Sequence, residues 1–148
     1  MFKLYSDINN YNYIIINRLI KCLYNINKVF NNVIKNNHIK LVKLLLKNKR
    51  IDPSINDNYV IQEASRNGYL EIVKLLLKDK RVNPSDFNNY AIQLASENGH
   101  LEIVKLLLKD KRVDPSDHNN CAIKWASKNG YSEIVKLLLK DKRVKLLQ

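Results

Sequence analysis

The sequence predicts an all-α solenoid of stacked helix-turn-helix units, and three observations carry that prediction. The segment EIVKLLLKDKRV starts at Glu71 and returns at Glu102 and Glu133, a spacing of 31 residues each time, and a fixed period of this size marks a stacked repeat. Within each period two apolar runs of helical spacing flank a glycine, at Gly68, Gly99 and Gly130. Each period closes on turn chemistry, with Pro53, Pro84 and Pro115 followed by Ser54, Ser85 and Ser116, because proline cannot continue a helix and Asp-Pro-Ser favours a turn.

Residues 1–25 stand outside the repeat. Leu19, Ile20 and Leu23 are helically spaced there, so the segment is expected to cap the open apolar side of the first unit. Four units follow, at 26–56, 57–87, 88–118 and 119–148. The first is degenerate: Asn37 replaces the glycine and Val33 an alanine, whereas His38 to Leu46 keep the second helix.

The unit at 88–118 shows the pattern in full. Its first helix begins near Tyr90, where Asn88 and Asn89 are expected to place side-chain oxygens on the free amides of the first turn. It carries Ala91, Ile92, Leu94 and Ala95 and ends at Asn98-Gly99, where glycine takes a left-handed cap. The second helix is apolar except for Glu102, Lys105 and Lys109, whose spacings of three and four make one exposed stripe. Two such helices cannot bury their apolar faces alone, but copies stacked side by side can.

The last unit, 119–148, keeps the internal pattern, with Ile134, Val135, Leu137, Leu138 and Leu139 unchanged. No polar cap follows, and Lys145-Leu146-Leu147-Gln148 stands in place of the next turn. The C-terminal face is therefore expected to pair with another molecule, by self-association or by receiving a partner end-on.

This helix pair resembles the ankyrin repeat. The family's helix-turn-helix signature, ending AxxGHLEVVKLLL, is met by Ala95 through Leu108, with Gly68, Gly99 and Gly130 at the family glycine. The resemblance covers residues 26–148. It implies a non-catalytic protein-binding module whose first helices and loop tips line a concave face. The family's Thr-Pro-Leu-His opening is replaced by Tyr90-Ala91-Ile92-Gln93 or Cys121-Ala122-Ile123-Lys124, which passes the capping role to Asn58, Asn89 and Asn120. The family period is about 33 residues, and the shortfall here falls in the connecting loops. Asparagine- and lysine-rich arrays of this kind look like those of large DNA viruses and amoebal protists. That likeness implies a viral or protist source and, for a virus, a host protein as partner in the host cytoplasm.

Lys and Arg number 26 against 14 Asp and Glu, a formal net charge of +12. One reading is a copied lysine tract, KLLLKxKR, that forms a solvated face. The alternative is a binder of nucleic acid or anionic membrane, using ladders at Lys43, Lys74, Lys105, Lys136 and at Arg50, Arg81, Arg112, Arg143. No apolar run is long enough to cross a membrane. Cys22 and Cys121 lie far apart and in unlike contexts, which favours the reducing cytoplasm.

No constellation of catalytic, cofactor-binding or metal-binding residues emerges. His38 and His100 share a repeat position and His118 falls in a loop; the ankyrin resemblance implies that the position of His100 packs at the turn. Cys121 takes the slot of Tyr59 and Tyr90 and is expected to be a small buried thiol. Glu71, Glu102 and Glu133 precede Lys74, Lys105 and Lys136 by three residues, as helix-surface ion pairs do. An enzyme would need a polar cluster that breaks the repeat.

What varies between copies is therefore the candidate site. The middle of the first helix reads Asn32, Glu63, Leu94, Trp125; its end reads Lys35, Arg66, Glu97, Lys128; the loop tip reads Asn56, Phe87, His118. Six of these, Arg66, Phe87, Glu97, His118, Trp125 and Lys128, form the expected partner-binding set together with Gln93 and Lys124 of the same inner face. Phe87 is an aromatic of the kind that anchors interfaces. Trp125 is open to two readings, anchor or filler of the last core.

Overall fold

The computed structural model describes residues 26–144, so the expected N-terminal cap and the Lys145–Gln148 tail lie outside the described residues. Eight helices form four pairs, with no strand among the described residues. In chain order these are α1 Ile26–Lys35, α2 Ile39–Leu45, α3 Ile55–Arg66, α4 Leu70–Leu77, α5 Asp86–Glu97, α6 Leu101–Leu108, α7 Asp117–Lys128 and α8 Ser132–Leu138. The odd-numbered helices are the first of each pair and the even-numbered the second.

The first helices pack on one another far more closely than the second helices do. Small residues explain the difference. Ala64, Ala95 and Ala126 are fully buried where first helices meet, with Ser65 and Ser96 beside them. The leucines of α4, α6 and α8 hold their row further apart, so the stack bends toward the first helices, which form its inner row. The core is a ribbon: Leu76, Leu107 and Leu138 are each fully buried, one per unit, with Ile72, Ile103 and Ile134 beside them. As expected, Glu102, Lys105 and Lys109 are exposed.

Each helix pair turns on a left-handed residue. Gly68, Gly99 and Gly130 have φ of +75°, +76° and +78°, and Asn37 substitutes in the first unit at +53°. Each loop is fixed by an Asx-type turn. Ser85 donates its N–H and Oγ–H to Asn83 Oδ1, and Ser54 and Ser116 do the same to Asp52 and Asp114. The short period leaves room for these turns but not for paired strands.

Candidate partner-binding face

Asn58 and Asn89, expected to cap the inner helices, bond elsewhere. Asn56-Asp57-Asn58, Phe87-Asn88-Asn89 and His118-Asn119-Asn120 all adopt positive φ, forming one left-handed turn before the right-handed helix starts at Tyr59, Tyr90 or Cys121. Asn and Asp tolerate this region better than other L-residues, which accounts for the asparagine-rich tract. The side chains of Asn58 and Asn89 reach the following unit. Asn58 Oδ1 accepts the N–H of Asn83 at 2.8 Å and its Nδ2 donates to Asp86 at 2.6 Å. Asn89 repeats this with Asp114 and Asp117, both at 2.8 Å.

The far ends of the inner helices are tied across units as well. Tyr69 Oη donates to the Lys35 carbonyl at 3.1 Å, His100 Nε2–H to that of Arg66 at 2.9 Å, and Asn129 Nδ2 to that of Glu97 at 2.7 Å. His100 thus packs at the turn, as its position implied. With both ends fastened, the inner row is a rigid platform.

A family model for ankyrin repeats (3 copies) matches residues 5–86 and 61–147. The chain belongs to the ankyrin-repeat family. No curated protein sequence is significantly similar to it. The solved structures it resembles include a chain of the crystal structure of the yeast ribosomal protein Rps3 in complex with its chaperone Yar1, at a TM-score of 0.67 and 23% identity, over 82% of this chain and 96% of that one. That likeness shows a shared fold.

On this ankyrin platform the expected contact residues separate. Arg66, Phe87, His118, Lys124 and Lys128 are exposed, and Glu97 and Trp125 are half-buried. Phe87 is 59% exposed and meets Tyr90 edge-on, ring centroids 5.5 Å apart. Lys128 Nζ lies 4.7 Å from the centre of the Trp125 ring, within cation–π range. Gln93 does not belong with them. It is 4% exposed, and its Nε2 donates to the Asn88 carbonyl at 2.5 Å, bracing the left-handed turn; Gln62 does the same for Asp57. Cys121 is half-buried and a free thiol.

The two cationic ladders look different in three dimensions. Lys74, Lys105 and Lys136 pair with Glu71, Glu102 and Glu133 at 2.6, 2.6 and 3.3 Å. Arg81, Arg112 and Arg143 each grip the aspartate two residues earlier at 2.6 to 2.7 Å. Their Nη1 groups donate to the Ile51, Val82 and Val113 carbonyls of the preceding unit. These arginine hydrogen bonds hold Asp79, Asp110 and Asp141 below the usual carboxylate range. From the second unit onward the arginine ladder is thus a set of inter-unit staples, and both ladders carry their own counterions there. Among the described residues no helix is long and apolar enough to cross a membrane.

Proposed function

We propose that the chain is a non-catalytic protein-binding module that docks a partner on the concave face of its inner helices. The contact set is Arg66, Phe87, Glu97, His118, Lys124, Trp125 and Lys128. One observation carries this reading: Phe87 presents most of its ring to solvent while its backbone sits at φ +53°. Asn56 fills the same slot one unit earlier at far less conformational cost. A strained, exposed aromatic on a rigid platform matches the anchor of an interface.

The fold-mate from the Rps3–Yar1 crystal structure comes from a chaperone complex, which supports protein binding as the use of such a stack. The pairing of Lys74, Lys105 and Lys136 with glutamates and of the arginines with aspartates counts against polyanion ladders along its length. We place the protein in the cytoplasm, the host cytoplasm for a viral source, with a host protein as partner. We also assign a self-association surface to the open groove of about 540 Å³ over Ile123, Val135 and Leu139.

The test is site-specific photo-cross-linking. A photoreactive residue at Phe87 or Trp125 should capture partner, and one at Lys105 or Lys136 should not. Equal capture from both pairs would rule out the concave face.

A further inference from the structure

The charge of the chain is not spread by the repeat. Unit 57–87 carries five basic and five acidic residues, and unit 88–118 four and five. Unit 26–56 carries seven basic residues and one acid, Asp52. The copied lysine tract therefore does not explain the excess, because in the central copies acids elsewhere in the same unit balance it.

Alignment at the repeat spacing shows how the first unit differs. Lys40 stands where Glu71, Glu102 and Glu133 stand in the others, and Asn48 where Asp79, Asp110 and Asp141 stand. Those are the acids that hold the lysine and the arginine of each later unit. The first unit keeps both cations, Lys43 and Arg50, and lacks both counterions. Asn48 preserves the geometry, since its Oδ1 still accepts the Arg50 N–H at 2.9 Å, but not the charge. Lys40, Lys43, Lys47, Lys49 and Arg50 are all exposed, and no ion pair holds any of them among the described residues. The last unit is also basic, with seven cations against two acids. It retains both outer pairs, however, and its Lys124 and Lys128 lie on the inner helix.

We propose that the outer face of the first unit, built on Lys40, Lys43, Lys47, Lys49 and Arg50, is a second docking surface, and that its occupant is a short acidic polypeptide segment. Charge complementarity gives the sign of the partner. The extent of the patch gives its length, because an anion continuing along the stack would leave Lys40 and meet Glu71 and Glu102 in the same row. Ile39, exposed beside Lys40, offers contact to one apolar side chain. Nucleic acid fits less well: Phe30, the only Phe, Tyr or Trp between 26 and 58, is fully buried, which leaves His38 as the one ring on which a base could stack there. A membrane also fits less well, since Val42 and Leu45 of α2 point into the core and leave no apolar face to insert.

The surface is independent of the inner-helix reading, and the experiment keeps the two apart. Binding of a short fluorescein-labelled peptide, Glu and Asp residues around one Leu, is measured by anisotropy on the full chain. Lys40→Glu/Asn48→Asp installs residues that three other units already carry, and circular dichroism checks its fold. Lys140→Glu/Lys142→Gln removes the same charge from the last unit. The first variant should weaken binding about tenfold and flatten its salt dependence, whereas the second and Phe87→Asn should change it less than about twofold. Equal weakening by the two charge variants would show a diffuse field and overturn the site. So would tighter binding of a DNA duplex, or of phosphatidylserine vesicles, that Lys40→Glu/Asn48→Asp abolishes, for the patch would then belong to that ligand.

Discussion

The ring of Tyr131 covers Gly99 so closely that a methyl group on the glycine would lie 2.5 Å from its Cε1. His100 covers Gly68 in the same way, at 2.7 Å, whereas nothing lies within 4 Å of the equivalent point on Gly130. The three glycines share one backbone conformation and differ only in what the next unit lays over them. Gly99→Ala should therefore cost about 2–4 kcal/mol, from left-handed strain in the backbone plus displacement of the ring, and Gly130→Ala only about 1 kcal/mol. Denaturant unfolding of both variants gives the comparison; equal losses would mean that Tyr131 yields freely.

Phe87 offers the opposite sign. Asn at this position relieves the left-handed strain, about 1 kcal/mol or more, and forfeits an exposed edge contact with Tyr90 worth about 0.5–1 kcal/mol. Phe87→Asn should thus leave stability within about 1 kcal/mol of the parent while removing the partner. A thermal scan and a capture assay on the same preparation check both halves. A large destabilisation would make Phe87 a structural residue.

The arginine staples predict an acid limb. Asp79, Asp110 and Asp141 titrate below their ordinary value of 3.8 in the folded chain because Arg81, Arg112 and Arg143 hydrogen-bond them. A depressed folded pKa stabilises above the unfolded value and loses that contribution as pH falls through the folded one. Stability should hold level from neutrality toward pH ~5 and drop below about pH 4. Asp110→Asn should shallow that drop in a urea series across pH; an unchanged limb would assign it to other carboxylates.

How much of this was readable beforehand can be judged residue by residue. Helix pairs and their ends followed from the period and from Gly68, Gly99 and Gly130, since these are local properties of the chain. The asparagine tract was legible as a boundary but not as a device. Asn58 and Asn89 act on partners 25 and 28 residues away, and only the stacked geometry shows what faces them. Gln93 carried a usable signal, because Gln62 occupies the same position and a residue kept between copies serves the stack. The distinct character of the first unit was legible too, in Lys40 and Asn48, but its meaning required seeing that Glu71 and Asp79 pair with Lys74 and Arg81 of their own repeat.

At the C-terminal groove the exposed apolar residue is Leu139, 45% accessible, while Leu138 beside it is fully buried. Light scattering over a concentration series should show the mass rising, and Leu139→Glu should restore the monomer without loss of fold. Leu138→Glu should instead unfold the last unit, at several times the cost. A parent that stays monomeric at high concentration would remove self-association.

The central claim, that a partner docks on the inner helices, is tested most directly by titration calorimetry of the captured partner against two double variants. Phe87→Asn/Lys128→Glu changes the inner face, and Lys105→Glu/Lys136→Glu changes the outer helices by a larger charge. Affinity should fall at least about 30-fold for the first, a loss of about 2 kcal/mol, and less than about threefold for the second. The reverse order, or equal losses, would contradict the account.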